Sequence, residues 1–163
     1  MKKYIRAISI ILIVFSFIGC DQVTKSYAIR ELPFSSSVNL LGGLARLQFA
    51  ENQGYFLSIG STLSATLRRS IAIAMTVVVL LGFVIMLISA NKIRLSYLIA
   101  LSLLLAGILG NLIDRIFNHG LVVDFLILGT NTIHTGILNV ADILITTSIV
   151  MLIILEIFYK RAT

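Results

Sequence analysis

Four apolar stretches, each long enough to cross a bilayer, constrain this chain more than any other feature. They run from Tyr4 to about Cys20, from Ile71 to Ala90, from Leu95 to about Ile113, and from about Val140 to Tyr159. About 20 apolar residues in a helix span the hydrocarbon core of a membrane. Inside that core only helices and closed barrels satisfy their own backbone groups. A soluble fold of 163 residues has too little interior to hide so much Leu, Ile and Val. Of the residues, 58% are hydrophobic and 12% charged, where soluble domains sit near one half and one quarter. The expected fold class is an all-α integral membrane protein, a single four-span domain over residues 1–163. A soluble enzyme, a disordered tail and a disulfide scaffold are excluded.

Basic residues set the expected orientation. Lys2, Lys3 and Arg6 flank the start of span one, Lys92 and Arg94 fill the hairpin between spans two and three, and Lys160 and Arg161 follow span four. These three crowded groups fall on one side, which the positive-inside rule assigns to the cytoplasm. Both termini are then cytoplasmic, and the loops 21–70 and 114–139 lie outside. The tally is seven basic residues against six, so the assignment rests on density; because the basic residues behind the net charge of +6 sit mostly beside apolar runs, nucleic acid is not an expected partner. The long loop carries one Pro, several Gly and a strand-like run from Leu44 to Phe49. It predicts a small sheet lying on the membrane, followed by a short interfacial helix from Ser61 to Arg69.

Phe17-Ile18-Gly19-Cys20, after a basic and then apolar N-terminus, has the form of a lipoprotein signal ending at a lipidated Cys. Three further spans favour reading it as a first transmembrane helix. With one Cys there is no internal disulfide. Cys20, His119 and His134 are too scattered for a zinc site, so no metal and no cofactor are expected.

Asp21, Asp114, Asp124 and Asp142 all emerge on the outer side of this topology. Carboxylates in or near a bilayer are costly and mark pairing, capping or chemistry. Asp21 has Lys25 one turn later, the spacing of an i,i+4 ion pair. Asn139-Val140-Ala141-Asp142 has capping-box spacing. Asp124 differs, because it sits in the apolar run Leu121 to Ile127 with no cation beside it. The antiparallel hairpin of spans three and four can bring Asp124 near Asp142. Two close carboxyls share a proton and can hold a water between a base and an acid. That is the logic of metal-free amide hydrolysis.

The residues also resemble a known family. Asp21-Gln22-Val23-Thr24-Lys25, Asn52-Gln53-Gly54, Gly110-Asn111-Leu112-Ile113-Asp114-Arg115, Val122-Val123-Asp124-Phe125 and Asn139-Val140-Ala141-Asp142 are similar, in order and spacing, to five motifs of the bacterial prolipoprotein signal peptidases (type II signal peptidases). Singly these motifs are weak, but together they are specific. The resemblance implies an aspartic endopeptidase of the plasma membrane that cuts the signal peptide from diacylglyceryl-prolipoproteins just before the lipidated Cys. It implies Asp124 and Asp142 as the catalytic dyad. Asp21, Lys25, Asn52, Gly54, Asn111, Asp114, Arg115 and Asn139 would position substrate or dyad. Also implied are an outer β-cradle, membrane lipid as a partner, and inhibition by the cyclic peptide globomycin. One departure is that bulky Tyr55, Phe56 and Leu57, then Ser58, follow Asn-x-Gly where the family has small residues. Two other readings compete: a small proton-coupled transporter using intramembrane carboxylates, and a structural lipoprotein anchored through Cys20.

Overall fold

The computed structural model describes residues 2–34, 36–54 and 62–160. Four of its helices are long and apolar enough to cross a membrane: α1 (Lys2–Glu31), α2 (Ala65–Ser89), α3 (Leu95–Phe117) and α4 (Val140–Lys160). Between them lie β1 (Val38–Leu40), β2 (Ala45–Asn52) and β3 (Val122–Leu128). The strands form one antiparallel sheet in the order β1-β2-β3. The architecture is the expected helical membrane protein with a small sheet. Tyr55 to Ser58 fall outside the described residues.

Several element ends differ from the sequence expectation. Helix α1 does not stop near Cys20 but runs to Glu31, so Asp21 and Lys25 lie on its inner face. At 1.5 Å per residue it is about 45 Å long, more than the hydrocarbon core requires. Helix α3 likewise continues to Phe117, which places Asp114 inside the helix and not at its end. Residues 65–69 are not a separate interfacial helix. Ser64 caps α2 with its side-chain oxygen accepting from Leu67 N (3.3 Å), and Arg68 and Arg69 belong to that helix; Ser61 lies outside the described residues.

The helix α3 is the centre of the bundle and packs on the other three. Its inward face carries Ala100, Ser102, Ala106, Gly107 and Gly110, all buried. In membranes, small residues let helices approach closely where no hydrophobic driving force separates them from lipid. A Cβ on Gly107 would stand 2.6 Å from Ala141 O and 2.7 Å from Ile145 Cγ1. The first of these is backbone and cannot turn aside. We therefore expect Gly107→Ala to cost about 1–3 kcal/mol by overpacking, read as a lower unfolding temperature in detergent. Gly82→Ala is the control, since a Cβ there meets nothing within 4 Å.

One apolar core joins Ile10, Val14, Met86, Leu98, Ala106, Leu109 and Leu144. A smaller one, Ala28 with Val123 and Phe125, seats the sheet on the outer part of α1. Arg6 Nη1 donates to Ala90 O (3.1 Å) and Ile93 O (3.2 Å), so the start of α1 and the α2–α3 turn share one end of the bundle. The sheet and the Asp cluster occupy the other.

Candidate active site

Three helices and two strands converge at that end. From α1 come Asp21, Gln22 and Lys25, from α3 Asn111, Asp114 and Arg115. The end of β2 supplies Asn52, β3 supplies Asp124, and the start of α4 supplies Asn139 and Asp142. The structure brings together the ten residues that the family resemblance implies, Gly54 joining through Arg115, but not Cys20, His119 or His134.

The inner part is an ion cluster. Lys25 Nζ lies 2.8 Å from Asp21 Oδ2, the expected i,i+4 pair, and 3.0 Å from Asp114 Oδ2. Asp21 is 0% exposed and Lys25 2%. Burying such charges costs free energy unless each is paired and its remaining lone pairs are used. Here they are used structurally. Asp21 Oδ1 accepts from Ala141 N (2.8 Å), a first-turn amide of α4 with no partner inside its own helix. Asp114 Oδ2 accepts from Val123 N (3.0 Å), fixing β3 one residue before Asp124. Gln22, which was not among the candidates, donates Nε2 to Asp114 Oδ1 (2.9 Å), Gly110 O (3.2 Å) and Asp21 Oδ2 (3.2 Å). Its place in the motif Asp21-Gln22-Val23-Thr24-Lys25 was the signal that could have found it.

Two asparagines couple this cluster to the outer carboxylates. Asn111 Oδ1 accepts from Lys25 Nζ (3.0 Å), and Asn111 Nδ2 donates to Asp142 Oδ1 (2.9 Å). Asn139 forms the capping box that its spacing predicts: Asp142 N donates to Asn139 Oδ1 (2.9 Å) and Asn139 N to Asp142 Oδ2 (3.2 Å). The Asn139 Nδ2 group then donates to Asp124 Oδ1 (2.6 Å) and Val123 O (3.2 Å). One cap residue thus touches both Asp124 and Asp142.

The sheet supplies the remaining support. Ala50 is the register partner of Asp124, and Asn52 is its diagonal neighbour two residues on, on the same face. Asn52 Nδ2 donates to Asp124 Oδ2 (2.9 Å), while its Oδ1 accepts from Gly54 N (3.0 Å). Arg115 donates to Gly120 O (3.0 Å) and to Gly54 O, tying the end of β2 to α3. Arg115 therefore fastens the backbone that holds Asn52, whereas the ion pairs of the cluster run through Lys25.

Burial pushes the Asp124 carboxyl up to about 6, and the nearby Asp142 charge pushes the same way; Asn52, Asn139 and Lys25 oppose both. Asp124 and Asp142 line one cavity of about 460 Å³. Polar Asn52, Asn111 and Arg115 stand beside the carboxylates, and Met75, Ile108 and Ile145 make the apolar wall toward the bundle. His119 and His134 are exposed, and Cys20 is exposed on α1.

Four bilayer-length helices, with a small sheet and a cluster of carboxylates and amides around one cavity at one end of the bundle, define a class, the integral membrane proteins. The chain belongs to the signal peptidase II family: the family model described as "Signal peptidase (SPase) II" matches residues 13–158. A lipoprotein signal peptidase of Brevibacillus brevis is 37% identical over 143 residues, covering 88% of this chain and 91% of that protein. One of Streptococcus pneumoniae is 32% identical over 154 residues, with 94% of each covered. Two solved structures, both described as a bacterial membrane enzyme, superpose with TM-scores of 0.75 and 0.74 at 28% and 29% identity. They cover 91% of this chain, and 87% and 92% of their own.

Proposed function

We propose that Asp124 and Asp142 are the catalytic pair with which this membrane aspartic peptidase removes signal peptides from diacylglyceryl-prolipoproteins. The observation that carries the assignment is Asn139 bonded to both residues at the rim of one cavity. In this reading Asp124, raised by burial, starts as the neutral acid, and Asp142 starts as the base. A water between them loses a proton to Asp142 as its oxygen attacks the scissile carbonyl carbon, while Asp124 protonates the carbonyl oxygen. The tetrahedral species then collapses. The C–N bond breaks, the leaving nitrogen takes a proton from the pair, and the signal peptide departs with a carboxyl end, freeing the amino group of the lipidated Cys.

The acyl chains of the substrate hold its scissile bond at the depth of the pair, against the apolar wall of Met75, Ile108 and Ile145. Asp21, Lys25, Asn111, Asp114 and Asn139 fix the geometry of the pair, and Asn52, Gly54 and Arg115 do so through the sheet. The site lies at the extracytoplasmic face with both termini cytoplasmic, and globomycin competes for the same cavity. A transporter would need carboxylates spread through the depth of the membrane, whereas Asp21, Asp114, Asp124 and Asp142 form one cluster at one end. An anchored lipoprotein would lose α1 before Cys20, and with it the buried Ile10 and Val14.

The test is cleavage of a lipidated precursor peptide by purified protein in detergent with a chelator present. Full turnover is expected. Loss on chelation, restored by a divalent ion, would overturn the metal-free mechanism. The pH profile tests the roles. If Asp124 must be protonated, kcat/KM falls as pH rises through about 6. The Asn52 hydrogen bond favours the ionised form of Asp124. Removing it in Asn52→Ala should move that alkaline limb to higher pH. A limb that stays put or moves down in folded protein contradicts Asp124 as the acid.

A further inference from the structure

We propose that the end of the sheet remote from Asp124 is a bilayer-insertion site, where two loops sink Leu41, Leu44 and Ile133 among phospholipid acyl chains. Leu41 is 80% exposed, Ile133 81% and Leu44 58%. They come from loops far apart in sequence that the fold ties together. Gly129 N donates to Leu44 O (2.9 Å), and Arg46 reaches from β2 to Asn131 Oδ1 (3.1 Å) and Thr130 O (3.4 Å). The apex is also shaped to present its side chains. Leu41 holds φ +50, followed by Gly42 at +67 and Gly43 at +92. A left-handed conformation disfavours a bulky residue, and no burial of Leu41 within the chain offsets it.

The chemistry of the surroundings selects lipid as the occupant. Residues 32–50 and 125–141 contain no Asp or Glu, and Arg46 is their only Lys or Arg. Nothing there repels an anionic headgroup. Phe34, 64% exposed just after α1, and Val38 and Leu40 of edge strand β1, 45% and 42% exposed, extend the apolar patch. Among the described residues β1 pairs only with β2; an apolar edge strand in water invites aggregation, while unpaired backbone groups are excluded from hydrocarbon. Both constraints are met if the strand lies at headgroup depth and only the loop side chains go deeper, about 5–10 Å below the surface as interfacial helices do. The sheet is then fixed at both ends, by α1 and Asp114 near the site and by lipid at the apex. That sets the height at which Asp124 meets a bilayer-anchored substrate.

The chain has no Trp, so a single introduced Trp reports unambiguously. Leu44→Trp and Ile133→Trp, one on each loop, are made separately in the full chain and placed one copy per nanodisc, in phosphatidylcholine–phosphatidylglycerol with or without brominated acyl chains. We expect brominated lipid to quench each Trp about twofold or more, as for side chains at the acyl boundary, with aqueous iodide having little effect. Emission unaffected by brominated lipid overturns the proposal, whether iodide quenches it or protein shields it. With one copy per disc, a second copy cannot supply the cover. Cleavage of the lipidated precursor by the same variants confirms their fold and keeps failure here distinct from failure of the dyad assignment.

Discussion

Asp124→Asn should yield a protein that inserts, folds and does not cleave. Asp124 supplies the proton for the carbonyl oxygen, and an amide cannot, so turnover should fall by roughly 10³-fold or more. Stability should move the other way. The Asp124 carboxyl is raised from 3.8 to about 6 in the fold. Keeping it ionised therefore costs stability above pH 6, and the cost fades as pH falls toward 3.8. A two-unit shift converts to about 3 kcal/mol at most. The replacement amide recovers less than this, because both oxygens of Asp124 accept from amide groups, of Asn52 and Asn139, and one would then meet a donor. The expected unfolding temperature at pH 8 is at or above that of the wild type, and the difference shrinks at pH 4. A variant that loses both activity and fold would mean that Asp124 is primarily a structural residue.

Lys25→Met should produce the largest loss of stability of any single change discussed. Methionine keeps most of the stem but leaves Asp21, 0% exposed, and Asp114, 6% exposed, facing one another without a cation. Breaking a buried pair by removing one partner costs about 3–5 kcal/mol. In a chain of this size that lowers the unfolding temperature by on the order of 10 °C. The same two carboxylates hold Ala141 N and Val123 N, so the start of α4 and the strand carrying Asp124 should loosen together and activity should fall with stability. Adding Asp21→Asn to Lys25→Met removes one of the stranded charges and should recover part of the loss. If Lys25→Met melts within about 2 °C of the wild type, less than 1 kcal/mol on that scale, the cluster is not what holds these elements.

The bundle and the identity of the cluster were legible in the sequence, whereas the exact ends of the elements were not. The ends of α1 and α3 were read too short for one reason. Asp21, Gln22 and Lys25 in α1, and Asp114 and Arg115 in α3, look like the exit from a membrane in any average of hydropathy. Yet their helices continue, because the polar side chains turn inward toward one another while Cys20, Val23 and Tyr27 stay on the exposed face. Strand β3 was invisible for a different reason. Val122, Val123, Asp124 and Phe125 are buried consecutively, so the run lacks the alternation that marks a strand with one wet face. The capping box at Asn139 could be read from spacing alone. That the same side chain would also hold Asp124 depends on β3 lying against α4, which no local pattern encodes. Gln22 was passed over because its partners, Gly110 O and Asp114, are far along the chain.

The central claim is that Asp124 and Asp142 act as one catalytic unit, and it is tested most directly by turnover of a lipidated precursor in purified Asp124→Asn, Asp142→Asn and double variants of confirmed fold. If the pair acts as a unit, each single variant loses about as much activity as the double. Near-wild-type turnover in either single variant, or losses that multiply in the double, would contradict it.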